Sequence, residues 1–220
     1  MRIKLPKNII IGGVEYSVNY PYDFENENID RINGLHDPYD RSITINKDIR
    51  SNQKIISVFL HEVLHAVDYV YNSYELCTFE DIIHKLSYGL YDFFSCNKFY
   101  NINKIPKYVD VMGNLIVVEE YDYRDSVTSF SSNMSEMSNH IRIANNVSGC
   151  YLSFEAKMTE LMYNVVNLLC IYTHVEPELY KEKISGESFT IGIYETFKTI
   201  NIESLIKEAR KEVIDSGKKA

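Results

Sequence analysis

Apolar positions along the chain change period twice within the first hundred residues. Ile9–Ile11 and Val14–Tyr20 flank Gly12-Gly13, so they predict two strands joined by a two-residue hairpin turn. Residues 21–40 are polar and rich in turn formers, which predicts a loop. Ser42–Asn46 (SITIN) alternates and is β-branched, a strand pattern. From Asn52 to about Tyr71 there is no Gly or Pro. Ile55, Ile56, Phe59, Leu60, Val63, Leu64, Val67 and Val70 there recur at helical spacing. Thr78 ahead of Glu80 and Asp81 predicts a capped second helix running to about Phe94.

The same order returns about a hundred residues later. IKLPKNIIIGGVEYSVNYPYD (3–23) aligns with NKIPKYVDVMGNLIVVEEYDY (103–123), placing Gly13 on Gly113 and Val18 on Val118. RSITIN (41–46) meets NHIRIA (139–144). SVFLHEVLHAVDY (57–69) meets EAKMTELMYNVVN (155–167), and LSYGLYDFF (86–94) meets FTIGIYETF (189–197), with Gly89 on Gly192. Four short matches in one order predict an internal duplication. The expected architecture is α+β: a repeat over 1–98 and a second over 99–220, packed as a pseudo-dimer within a monomer. Each has a small sheet, a first helix and a following helix. A last helix is expected over Ile202–Asp215.

Composition narrows the partners. The chain has 220 residues and a net charge of −8 without a long basic run, so nucleic acid is not an expected partner. The most apolar later run, LMYNVVNLLCIYTHV, is too short to span a bilayer and carries Asn164 and Asn167, so no membrane association is expected. The 4 Cys form no CxxC pair and read as buried thiols of a reducing compartment, with a cytoplasmic location.

The chemistry sits in FLHEVLHAVDY (59–69). His61 and His65 are one helical turn apart, so both imidazoles can reach one metal ion, and Glu62 stands on the neighbouring face as a general base. Asp68 is placed to orient a ligand imidazole through its far nitrogen. Zinc needs a third protein ligand, for which the next helix offers Glu80, Asp81 and His84. The duplicate aligns Thr159 with His61, Tyr163 with His65, Val166 with Asp68 and Glu160 with Glu62, so it cannot build the same site.

LPKNIIIGGVEYSVNY, SITIN, FLHEVLHAVDY and EDIIHKLSYGLYDFF together resemble the small HExxH zinc metallopeptidases of phages and prophages. That resemblance covers residues 1–95 and implies a reduced zincin fold, a Zn2+ cofactor and a second helix that supplies the third ligand. It also implies a bacterial or phage-infected cell as the setting. The group usually carries Glu where this chain has His84, ahead of Leu86, Gly89 and Tyr91, which makes His84 the expected ligand and Glu80 its competitor. His84 aligns with Glu187 in the second copy. The implied activity is hydrolysis of a protein or peptide, with Ser42–Asn46 as an edge strand for extended substrate and Tyr88 or Tyr91 as a candidate oxyanion donor. The alternative is a non-catalytic binding or structural protein with a structural or vestigial metal site.

Overall fold

A computed structural model of the chain describes residues 2–24, 32–73, 76, 79–100, 102–122, 139–147, 150–175 and 187–217, with side chains in the last segment over 188–210. Among these residues the fold is mixed α+β, with two small sheets, a two-stranded ribbon and five helices. No described helix is long and apolar enough to cross a membrane.

The first half opens with β1 (Asn8–Ile11) and β2 (Val14–Tyr22), an antiparallel hairpin. Its turn places Gly12 and Gly13 at φ 57° and 78°, a pair of positive values that glycine adopts without strain. The chain then forms β3 (Gly34–Asp37) and β4 (Ser42–Asn46). The sheet order is β1-β2-β4-β3, with β4 parallel to β2 and antiparallel to β3. Two expectations are corrected here. The polar segment 21–40 contains a strand, and that strand, not Ser42–Asn46, is the edge. β4 lies inside the sheet because both of its neighbours pair with it.

α1 (Asn52–Tyr71) follows, capped by the Ser51 hydroxyl, which accepts from Lys54 N. It is buried nearly all round, because it packs against the sheet, against α2 (Glu80–Cys96), and against two helices of the second half. The observed start of α2 has Phe79 at the N-cap without a side-chain cap; Thr78 lies outside the described residues.

The second half repeats the register. β5 (Tyr108–Val111) and β6 (Asn114–Tyr121) form a hairpin through Met112 and Gly113 at φ 52° and 78°. β7 (His140–Ala144) lies parallel to β6, pairing Val117 with His140 and Val118 with Ile141, as β2 and β4 pair Ser17 with Ser42 and Val18 with Ile43. Individual bonds correspond as well. Val18 N donates to Lys7 O at 2.7 Å and Val118 N to Lys107 O at 2.9 Å; Ser17 N donates to Arg41 O at 2.9 Å and Val117 N to Asn139 O at 2.8 Å. A ribbon of β8 (Asn146–Val147) and β9 (Cys150–Tyr151) leads into α3 (Phe154–Tyr172). α4 (Glu187–Ile200) and α5 (Ile202–Gly217) complete the described chain.

Packing between the halves is reciprocal. α2 packs on α3 and β5, and α4 packs on α1 and β1. Gly89 of α2 meets Leu169, where an added Cβ would lie 2.8 Å from Leu169 Cδ2. Gly192 of α4 meets Tyr71, with the corresponding distance 2.5 Å. One apolar cluster runs through both halves, from Ile9 and Val67 to Leu169 and Phe197. Of the thiols, Cys170 is buried, whereas Cys96 and Cys150 are exposed, against the expectation of buried cysteines; Cys77 lies outside the described residues.

Candidate metal centre

The α-helical repeat puts His61 and His65 on the same stripe of α1, and their Nε2 atoms come within 3.1 Å of each other. The first residue of α2 closes the group. Glu80 Oε1 lies 2.7 Å from His61 Nε2, and Oε2 lies 3.1 Å from His65 Nε2. His61, His65 and Glu80 are thus a set of side chains that could hold a metal ion. His84 is exposed one turn further along α2 and stays outside the set. Its ring centroid is 5.9 Å from His61 and 4.8 Å from Tyr88. Of the candidate third ligands, the geometry therefore brings Glu80 to the histidines and keeps His84 beside them, lining the same cleft. The helix dipole favours an anionic side chain at the Glu80 position in any case. Here the carboxylate also faces two ring nitrogens.

Burial holds His61 down at about 4, reinforced by His65 and opposed by Glu80; burial also lowers His65, again against Glu80. Both rings are neutral at pH 7, the form in which imidazole binds a metal. Two ring nitrogens and a carboxylate converge at one point, and His61 Nδ1 is buried without a partner among the described residues. A cation at that point accepts lone pairs from both Nε2 atoms and from the carboxylate, so the donor set fits a zinc-type ion.

Glu62 is 7 % exposed and sits between α1 and β3. Desolvation, with the Glu80 charge added, pushes its carboxyl up to about 8, offset in part by a hydrogen bond from the His36 backbone N–H. The edge strand provides that bond. Asn46 N donates to Asn33 O at 2.9 Å, so Asn33, just before β3, and then Leu35 and Asp37 are the positions hydrogen-bonded to β4. Gly34 and His36 then direct their backbone groups off the sheet edge, towards α1. Gly34 lies so close to α1 that a Cβ would fall 2.6 Å from Glu62 Oε1 and 2.6 Å from Val58 Cγ1. The His36 ring is buried between Tyr16 and Tyr69, with centroids at 5.7 and 6.1 Å. Neither of its nitrogens has a partner among the described residues.

Asp68 is fully buried and its carboxylate accepts from Leu76 N at 3.1 and 3.0 Å and from Asn72 Nδ2 at 2.8 Å. These bonds anchor the connection from α1 to α2 and so set where Glu80 arrives. Tyr88 is exposed beside His84, and Tyr91 faces the interior with a buried hydroxyl. Gly34, His36 and Lys54, which borders the cleft, lay outside the sequence-predicted site. A signal was available for the first two. Asp37 Oδ1 accepts from Tyr39 N and Asp40 N, so HDPYD is a turn, and a turn after GLHD and before SITIN reads as a hairpin.

In the second half, α3 presents Thr159, Glu160 and Tyr163 at the aligned positions, with Thr159 Oγ1 turned back on Glu155 O. The Glu187 side chain lies outside the described residues. A cleft of about 200 Å³ opens over His61, Glu62 and Glu80, walled by Asn33 and Gly34 on one side and His84 on the other. No protein-family model, no curated protein and no solved structure matches this chain.

Proposed function

We propose that the chain is a zinc-dependent peptidase of the reduced zincin type, with His61, His65 and Glu80 holding the ion and Glu62 as general base. One observation carries the reading: a buried glutamate of raised pKa, held by the edge strand, stands beside a converging His-His-Glu set at the mouth of a cleft. Bound zinc supplies Lewis acidity at such a point. Glu62 takes a proton from the attacking water and returns it to the departing amine, so a carbon–oxygen bond forms as the carbon–nitrogen bond breaks. A carboxyl of raised pKa needs neighbouring positive charge to act as a base at neutral pH, and the His-His-Glu set is where that charge would be held. The outward backbone groups of β3 other than the His36 N–H, which Glu62 takes, offer an extended peptide a strand to pair with. The second half is a duplicate that has lost the metal side chains and keeps its packing role.

The test is twofold. Zinc should be present at about one ion per chain, and chelation should lower the melting temperature. Absence of both would leave a non-catalytic binding or structural protein as the better account. Glu62→Gln should then keep zinc and lose cleavage of a proteome-derived peptide mixture. Turnover equal to wild type would remove Glu62 as the base.

A further inference from the structure

The metal cleft does not end at Glu62. A second depression of about 360 Å³ adjoins it, and the two share Asn33 and Lys54 on their walls. Lys54 lies on the stripe of α1 that carries Val58, His61, Glu62 and His65, seven residues before His61. Beyond it the second depression is lined by Arg50 and Ser51, with Asp48 the one carboxylate among the described lining residues. In a chain of net charge −8, the described lining of this end of the cleft carries two cations, Arg50 and Lys54, to one carboxylate.

The position of Lys54, on the walls of both depressions, is the informative feature. Lys54 and Arg50 form no ion pair among the described residues.

We infer that Lys54, supported by Arg50, is a specificity residue that takes a carboxylate of the substrate peptide, supplied by an Asp or Glu side chain or by the chain terminus. This rests on the peptidase reading for the cleft. Seven helical residues span about 10 Å, and three residues of extended peptide cover about the same length. The carboxylate therefore sits two or three residues from the bond to be cut, at the end of β3 marked by Asn33. Lysine suits the task, being a flexible point charge that requires no fixed bidentate geometry.

The experiment measures retention rather than turnover. Full-length Glu62→Gln chain, loaded with zinc and immobilised, is exposed to a proteome-derived peptide library, and retained peptides are identified by mass spectrometry. Asp- and Glu-containing peptides should be enriched about threefold, the scale of one partly screened ion pair. The enrichment should vanish when carboxylates of the library are amidated, and also with Lys54→Glu or Lys54→Gln in the same background. Synthetic peptides amidated only at the C-terminus separate the two sources. If retention persists there, the side chain is the ligand; if it is lost, the terminus is. Equal enrichment in wild-type and Lys54-substituted chains, enrichment without acidic preference, or no retention would overturn the inference. Acidic preference without cleavage by the Glu62 chain would keep this inference and sink the peptidase reading. Cleavage without acidic preference would do the reverse.

Discussion

Gly34→Ala is the sharpest test of how the edge strand meets Glu62, the proposed base. Gly34 lacks the positive φ that would itself exclude a side chain, so its backbone admits alanine and any effect is steric. The new Cβ would stand 2.6 Å from Glu62 Oε1, 2.6 Å from Val58 Cγ1 and 2.8 Å from Glu62 Cγ. Carbon contacts settle at 3.5–4.0 Å, so the two elements must separate by about 1 Å. Val58 is 6 % exposed and packed within the core, which leaves Glu62 or the strand to move. Overpacking of this kind costs about 1–3 kcal/mol. In a chain of this length each kcal/mol lowers Tm by about 2–4 °C, so a fall of about 2–12 °C is expected by calorimetry. A base displaced by about 1 Å should lose about a hundredfold in turnover. Zinc affinity should hold, since the donors lie on α1 and α2. Leu35→Ala, an exposed neighbour, is the control, with an effect within about 0.5 kcal/mol. Wild-type melting in Gly34→Ala would refute the packing argument. Lowered Tm with unchanged turnover would refute the claim that β3 positions Glu62.

Three further outcomes follow from the same geometry. Glu80→Ala should weaken zinc binding by more than a hundredfold in competition with a chromogenic chelator, and His84→Ala by no more than the 10–100-fold typical of a side chain outside the ligand set; the reverse order would make His84 the ligand. Asp68→Ala leaves Leu76 N and Asn72 Nδ2 without that acceptor, so about 2–3 kcal/mol should be lost in urea unfolding, with weaker zinc binding as Glu80 loses its anchor; an unchanged midpoint would contradict the role given to the connection. His36 is held at about 4 by burial, with His65 adding to the effect and Asp37 opposing it. Because that lies below the unfolded value of 6.5, the unfolded chain binds the proton first, and stability should fall as pH drops from about 6.5 to 4, by up to about 3 kcal/mol from this group. His36→Leu should flatten that slope, and an equal slope in both proteins would show that His36 is not its source.

What was legible in the sequence is what periodicity and turn chemistry encode locally. α1 runs over the residues its apolar spacing predicts, and the Gly12-Gly13 turn and its Met112-Gly113 counterpart are where the hairpins bend. β3 was missed because a four-residue edge strand with a glycine facing the helix carries almost no alternation. Its identity as the edge depends on β4 crossing back between β2 and β3, a long-range fact that no local window contains. The third ligand was ambiguous for a similar reason. Glu80 and His84 share a face of α2, and which of them reaches His61 is decided by how the chain turns at Leu76 under Asp68, not by their spacing.

Reciprocal packing gives a role in the fold to a second half whose first helix lacks counterparts of His61 and His65. With the first helices offset by 98 residues, Tyr71 corresponds to Leu169, and the second-helix glycines Gly89 and Gly192 correspond to each other. The structure pairs Gly192 with Tyr71 and Gly89 with Leu169, so one contact occurs twice, each time between halves. Both glycines admit a bulky side chain of the opposite first helix where a Cβ would overlap it, although glycine costs about 1 kcal/mol in a helix interior. The constraint on these four positions is therefore one of packing and falls equally on both halves. Under the proposed function, the constraint on positions 61, 65 and 80 would be chemical and would fall on one half alone. Replacing the α3 counterparts of the histidines by Thr159 and Tyr163 leaves Leu169 seated on Gly89, and α4 still covers Val67 and Tyr71 of α1. A half that completes the other's core can lose its chemistry while folding still retains it.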